Sequence, residues 1–164
     1  MSKLIIYVTF ILLLTGCAAV SVVEEFEETN LTKEVLEMLY NISSYEAEFE
    51  LHFVSNRGIN VYQMIETENS IRVLSPETLK DSIITLREGN RTFLSNFLYL
   101  MGEIPKTVDT NGDSVIISLI VDVSPYIYSQ VLTTENKEFK SLISYDINGE
   151  ERMKIFFTSI ILGE

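Results

Sequence analysis

The chain has one cysteine, one histidine, no tryptophan and three prolines among its 164 residues. A lone thiol excludes an internal disulfide, a thiolate zinc site and a CxxC redox pair, so the core must hold without covalent staples. One imidazole likewise excludes multi-histidine metal chemistry. Positive charge is scarce: 12 Lys/Arg stand against 24 Asp/Glu, a net charge of −12. A surface that negative is repelled by nucleic acid and by anionic headgroups, and no Lys/Arg cluster in the sequence offsets it, so nucleic acid is not an expected partner. There is no GxSxG elbow, no phosphate-cradling glycine loop and no HExxH. What remains is 46% hydrophobic and 10% aromatic, a composition that packs a core.

The N-terminus carries the clearest signal. Lys3 gives a short positive start, Leu4 to Leu14 an apolar stretch, and Gly16 and Cys17 a small-residue ending, the layout of a secretory signal. Leu14-Thr15-Gly16-Cys17 resembles the lipobox of bacterial lipoproteins. That resemblance implies cleavage before Cys17 and a diacylglyceryl group on its sulfur, a covalent lipid and the one attached group expected; no other cofactor is. Two acyl chains, at ~0.8 kcal/mol per buried CH₂, anchor stably where one is marginal. The alternative is an uncleaved membrane helix, since Leu4 to Val23 is uncharged over about 20 residues. Either way the remainder faces the outside of the cell membrane. The expected division is a signal peptide at 1–16, a lipidated acidic tether at 17–29 and one domain at 30–164. Glu24, Glu25, Glu27 and Glu28 repel one another and extend the tether. Sequons at Asn30, Asn41 and Asn90 have no role in a bacterial chain.

Along the domain, Leu31, Val35, Leu36, Leu39 and Ile42 form one apolar helical stripe, with Asn30 as its expected N-cap. From Tyr45 the period becomes two. Tyr45, Ala47, Phe49, Leu51 and Phe53 share one face; Glu46, Glu48, Glu50 and His52 share the other. Further strands are expected at Val61–Glu66, Ser70–Leu74, Ser114–Val123, Tyr126–Thr133, Phe139–Asp146 and Glu151–Leu162. Ser82–Arg87 and Thr92–Ser95 are expected to pair across Gly89-Asn90. Phe97 to Met101 fits a short helix or a buried loop. The class is α+β: a large antiparallel sheet, curved, with one or two helices on its inner side.

The chemistry-bearing patterns are sparse. His52 alternates with three glutamates on a solvated face and lacks a positioned partner for base catalysis. Asp109-Thr110-Asn111-Gly112-Asp113 has closely spaced oxygens, but its glycine falls out of EF-hand order, and Asn-Gly reads as a hairpin turn. Glu46, Glu48 and Glu50 stand in a row, not across a sugar as a glycosidase pair must. The aromatic face is core, or lines a ligand hollow if the sheet curls into an incomplete barrel. Its candidates are Tyr45, Phe49, Leu51, Phe53 and Phe93.

Several stretches then carry a family resemblance. The lipobox, the apolar helix, Ser44 to Glu50, Pro76 to Lys80, Glu88 to Thr92 and Tyr145 to Phe157 follow in order. Together they resemble the LolA/LolB-type lipoprotein-carrier superfamily, and within it the lipidated clostridial spore germination lipoproteins of GerS type, over most of Leu31 to Ile161. The resemblance implies a half-open antiparallel β-barrel whose concave face is plugged by helices. It also implies a non-enzymatic partner of a cortex-modifying cell-wall amidase, on spore membranes; the alternative is an anchored, LolB-like receptor for lipids or lipoproteins. The chain stops directly after its last strand, short of the superfamily's expected closing segment. An unpaired sheet edge would then be a place for self-association or for a partner strand.

Overall fold

The computed structural model describes residues 29–163 except 125 and 126, and not the side chains of 122–124. The expected signal peptide, the expected lipidation site Cys17 and nearly all of the expected tether lie outside the described residues.

Apolar side chains at helical spacing build α1 (Asn30–Tyr40), which buries Val35 and Leu39. Its cap is Thr29, not the expected Asn30: Thr29 Oγ1 accepts the Thr32 N–H at 3.2 Å, and Asn30 is already the first helical residue. The period-two segment follows as β1 (Ser44–Ser55), then β2 (Gly58–Glu66), β3 (Ser70–Ser75) and the short β4 (Ile83–Thr85). A second helix, α2 (Phe93–Glu103), precedes β5 (Lys106–Asn111), β6 (Ser114–Ser124), β7 (Ile127–Glu135), β8 (Glu138–Tyr145) and β9 (Glu151–Gly163).

The nine strands form one antiparallel sheet in the order β4-β3-β2-β1-β9-β8-β7-β6-β5. β9 returns to pair with β1, so the β1–β4 meander and the β5–β9 meander fuse along the longest strands. The sheet curves but does not close, leaving β4 and β5 as edges. Register shifts opposite Glu48/Phe49 leave Thr158 of β9 unpaired, a bulge of the kind that bends a strand. Both helices pack on one face of the sheet. Val35, Leu39, Leu94, Phe97 and Met101 from the helices meet Phe49, Ile117, Leu119, Leu132, Leu142 and Ile155 from the strands, all at most 2% exposed. The expected α+β class, a curved half-open antiparallel sheet with helices on its inner side, is what the chain forms.

A second local expectation fails, and one strand was not expected. Thr92–Ser95 is not a strand paired across Gly89-Asn90; it opens α2, because Leu94, Phe97 and Met101 share a helical face that the sheet can bury. Lys106–Asn111 forms a strand that its half-polar alternation conceals. The Asp109–Asp113 segment is the β5–β6 hairpin turn, with Gly112 at φ +61°, a conformation costly for other residues.

The β8–β9 turn is held by Asp146. Its carboxylate accepts the N–H groups of Asn148 (2.8 Å) and Glu150 (3.0 Å) and the Arg152 Nε–H (2.9 Å). The Glu150 N–H, with the Arg152 guanidinium, holds this carboxyl below its ordinary range. A depressed folded value stabilises the protein above the unfolded value and is lost as pH falls through the folded one. Asp146→Asn is therefore expected to lower the urea midpoint at about pH 7 and to match wild type at about pH 2. An equal deficit at both values would refute the assignment.

Candidate functional site

The sequence candidates converge on the concave face, with one exception. Tyr45, Phe49 and Leu51 are buried there, at 5%, 1% and 5% exposure. Phe93, at the start of α2, packs against them from the helix side. Phe49 meets Phe93 edge to face at 6.0 Å and Phe157 at 6.1 Å; Phe157 in turn meets Phe139 at 5.7 Å. Such T-shaped pairs add about 0.5–1.5 kcal/mol each beyond their buried area. Phe53 does not join them. It shares their strand parity but is 47% exposed, because it stands at the hairpin end of β1 opposite polar Asn60. The hollow is thus occupied by the protein's own side chains where the candidates meet.

One functional-looking group escaped the sequence reading. Glu66, the last residue of β2, is fully buried. Its Oε1 accepts the Leu94 N–H at 2.8 Å and the Tyr45 hydroxyl at 2.8 Å, while Oε2 accepts the Phe93 N–H at 3.2 Å. These are the first N–H groups of α2, which the helix itself leaves unpaired. Thr92, the N-cap, makes no side-chain cap bond; its Oγ1 instead lies 2.8 Å from Tyr45 Oη and donates to the Thr67 carbonyl at 3.0 Å. Glu66 therefore caps the helix from another strand. Burial pushes its carboxyl above the ordinary range, against the pull of those donors. Burial, and then the Glu66 charge, drives the Tyr45 phenol far up as well, so Tyr45 stays a neutral donor. The signal was available: alternation puts Glu66 on the face of Met64, across from Ala47. An acid on the apolar face of a strand requires partners.

In this cluster the acid and the phenol are engaged by helix N–H groups, by each other and by the Thr92 hydroxyl. On the outer face Glu46 and Glu48 are exposed, and His52 Nε2 contacts Glu50 while its ring meets Phe156 edge-on at 5.3 Å. No group of three or more His, Cys, Asp and Glu able to hold a metal occurs among the described residues. Among the described residues one buried acceptor, Gln130 Oε1, has no partner, although the Gln130 Nε2 donates to Ser144 Oγ at 3.1 Å.

Grooves lie at the margins. One of about 380 Å³ runs between Met38 and the β8–β9 pair, floored by Phe139, Phe157 and Ile160, with Lys137 and Lys140 at its rim. Both ammonium groups are already paired, Lys137 with Glu34 at 2.5 Å and Lys140 with Glu138 at 2.9 Å. Another, about 640 Å³, is lined by Ser118, Ile120, Val131 and Tyr145. No described helix is long and apolar enough to cross a membrane.

No family model matches the chain. No curated protein matches it either. Solved structures do. One chain of the complex between the CwlD amidase of Clostridioides difficile and the GerS lipoprotein aligns at 18% identity and TM-score 0.47, over 77% of this chain and 91% of that one. A LolA-superfamily protein of Nitrosomonas europaea aligns at 10% identity and TM-score 0.42, over 80% and 93%. An uncharacterized conserved protein of Thermus thermophilus aligns at 10% identity and TM-score 0.48, over 80% and 87%. At these identities and TM-scores no family and no role is carried over to this chain.

Proposed function

We propose that this is a membrane-anchored, extracytoplasmic binding protein without catalysis of its own, which acts in spore germination by binding and supporting a cortex-modifying cell-wall amidase. The observation that carries the reading is the state of the hollow. A carrier needs open apolar space on the concave face. Here Leu94, Phe97 and Met101 of α2 fill its centre at 0–1% exposure, Glu66 locks the helix in place, and the groove beside Met38 stays open at its margin. With the centre of the hollow occupied, the proposed binding function falls to the outer surfaces. The lipobox-like ending at Cys17 and the order of motifs from Ser44 to Phe157 supply the anchoring and germination parts of the reading; the structural likenesses supply the fold alone.

Crosslinking and pull-down of the anchored full-length protein from sporulating cells tests this. Recovery of a cell-wall amidase, lost when the cells lack that enzyme, is the expected result. The LolB-like alternative draws on the groove beside Met38. Recovery of diverse lipoproteins without an amidase, together with fatty acid retained in native mass spectrometry, would replace the proposal with that alternative.

A further inference from the structure

Three features meet at the β4 edge of the sheet. First, β4 pairs with β3 alone and ends the strand order. Leu86 donates its N–H to the Asn69 carbonyl across that pair, so by antiparallel alternation the N–H groups of Ile83 and Thr85 point away from β3. Second, the edge is apolar on both faces. Ile83 is 65% exposed and Ile84, on the opposite face, 49%. Exposed edges are ordinarily blunted by charge, proline or a covering element, and consecutive isoleucines do the reverse. A helix or a loop can cover one face of such an edge; an added strand, with alternating side chains, covers both.

Third, charge is inverted here. Segment 72–91 holds four basic and three acidic residues in a chain with twice as many acids as bases. Arg72 stands directly across from Ile83, and Arg87 follows two residues after Thr85. Arg91 lies 3.5 Å from the centroid of the Tyr99 ring, which fixes its guanidinium. Elsewhere Lys137, Lys140, Arg152 and Lys154 each have a carboxylate within 4 Å, whereas Lys33, Arg57 and Lys106 stand apart from one another on other elements without one among the described residues; within the segment Lys80 pairs with Glu77. Among the described residues no carboxylate pairs with Arg72, Arg87 or Arg91. In a protein this rich in acid, two guanidinium groups without acids beside one free strand, Arg72 and Arg87, mark a place where the negative charge comes from outside.

We propose that the free edge of β4 is the docking site for an extended acidic segment of a partner protein, with apolar side chains at alternate positions, added to the sheet as one more strand. Main-chain bonds to Ile83 and Thr85 give the affinity, and the arginines select acid. This stands on the edge itself and is independent of which protein supplies the segment.

The test uses the full-length protein and a labelled synthetic peptide of alternating glutamate and valine, about nine residues long. Its control carries lysine in place of glutamate. The acidic peptide is expected to bind at least ~10-fold more tightly than the control, and less so as salt rises. Ile83 and Thr85 should gain amide-exchange protection. Thr85→Pro removes an outward donor without touching the β3 ladder, and should abolish binding with an unchanged unfolding midpoint. Arg72→Gln with Arg87→Gln should weaken binding about tenfold while the fold is retained. Equal binding of the two peptides, protection elsewhere, or indifference to Thr85→Pro would overturn the proposal. So would arginine-dependent binding to phosphatidylglycerol vesicles without peptide binding, or copies of the protein pairing through β4.

Discussion

Glu66→Ala is expected to lower the unfolding free energy by about 3 kcal/mol, with hydrogen exchange accelerated first in Phe93 to Asn96. The substitution leaves the Phe93 and Leu94 N–H groups without an acceptor in a buried site, while the Tyr45 hydroxyl keeps only Thr92. Each unpaired buried donor costs roughly 1–3 kcal/mol; relief from burying the carboxyl offsets part of the sum. Glu66→Gln keeps one acceptor oxygen and should cost about 1 kcal/mol. Calorimetry of the two variants separates these values. If alanine proved as mild as glutamine, Glu66 would not be the cap of α2.

The same residue gives a pH dependence of definite sign. Its carboxyl is raised above the ordinary value of about 4.3, so in the window above that value the folded state binds the extra proton. Stability from this site is therefore full below about pH 4.3 and is lost as pH rises through the folded value. The stability difference between wild type and Glu66→Gln should shrink with rising pH across this window. Taking the difference cancels the self-repulsion of the other carboxylates. A difference that grows with pH would mean the carboxylate is held ionised, opposite to the direction that burial imposes.

Sequence alternation made the sheet legible because one face is apolar and the other is not. Tyr45 to Leu51 against Glu46 to Glu50 fixes the register of β1 without any tertiary information. Where the alternation is between polar types, as in Lys106–Asn111, periodicity carries no such signal, and the strand exists because β6 supplies its ladder. The start of α2 was hidden for a different reason. Gly89-Asn90 is good hairpin chemistry, but Phe93, Leu94, Phe97 and Met101 bury more area as a helix over the sheet than as a strand beside it. Glu66 shows the limit of local reading: its partners lie 21 to 28 residues away, and only the fold brings them within reach. The β4 edge is the same case, since Arg72 and Arg87 flank one strand only once β3 and β4 are paired.

Phe49→Ala should be the most damaging apolar truncation, about 4 kcal/mol, and should lower the melting temperature on the order of 10 °C. Phe49 is 1% exposed, and its ring is the hinge of the aromatic series, edge to face with Phe93 of α2 and with Phe157 of β9. Removing it opens a cavity between the helix and the β1–β9 seam, where the two meanders join, so relaxation cannot fill the space from one side. Phe53→Ala is the matched comparison, with the same residue type on the same strand at the same parity. At 47% exposure it should cost well under half as much, about 1 kcal/mol or less. Thermal unfolding of both variants measures the contrast. Similar losses at the two positions would mean that the helices' cover extends to the hairpin end of β1, and the hollow would then reach further than Leu51. A small loss at Phe49 would be more serious. It would mean that the concave face tolerates empty volume, and the filled interior from which a protein-binding role is inferred would give way to a hollow able to take a ligand.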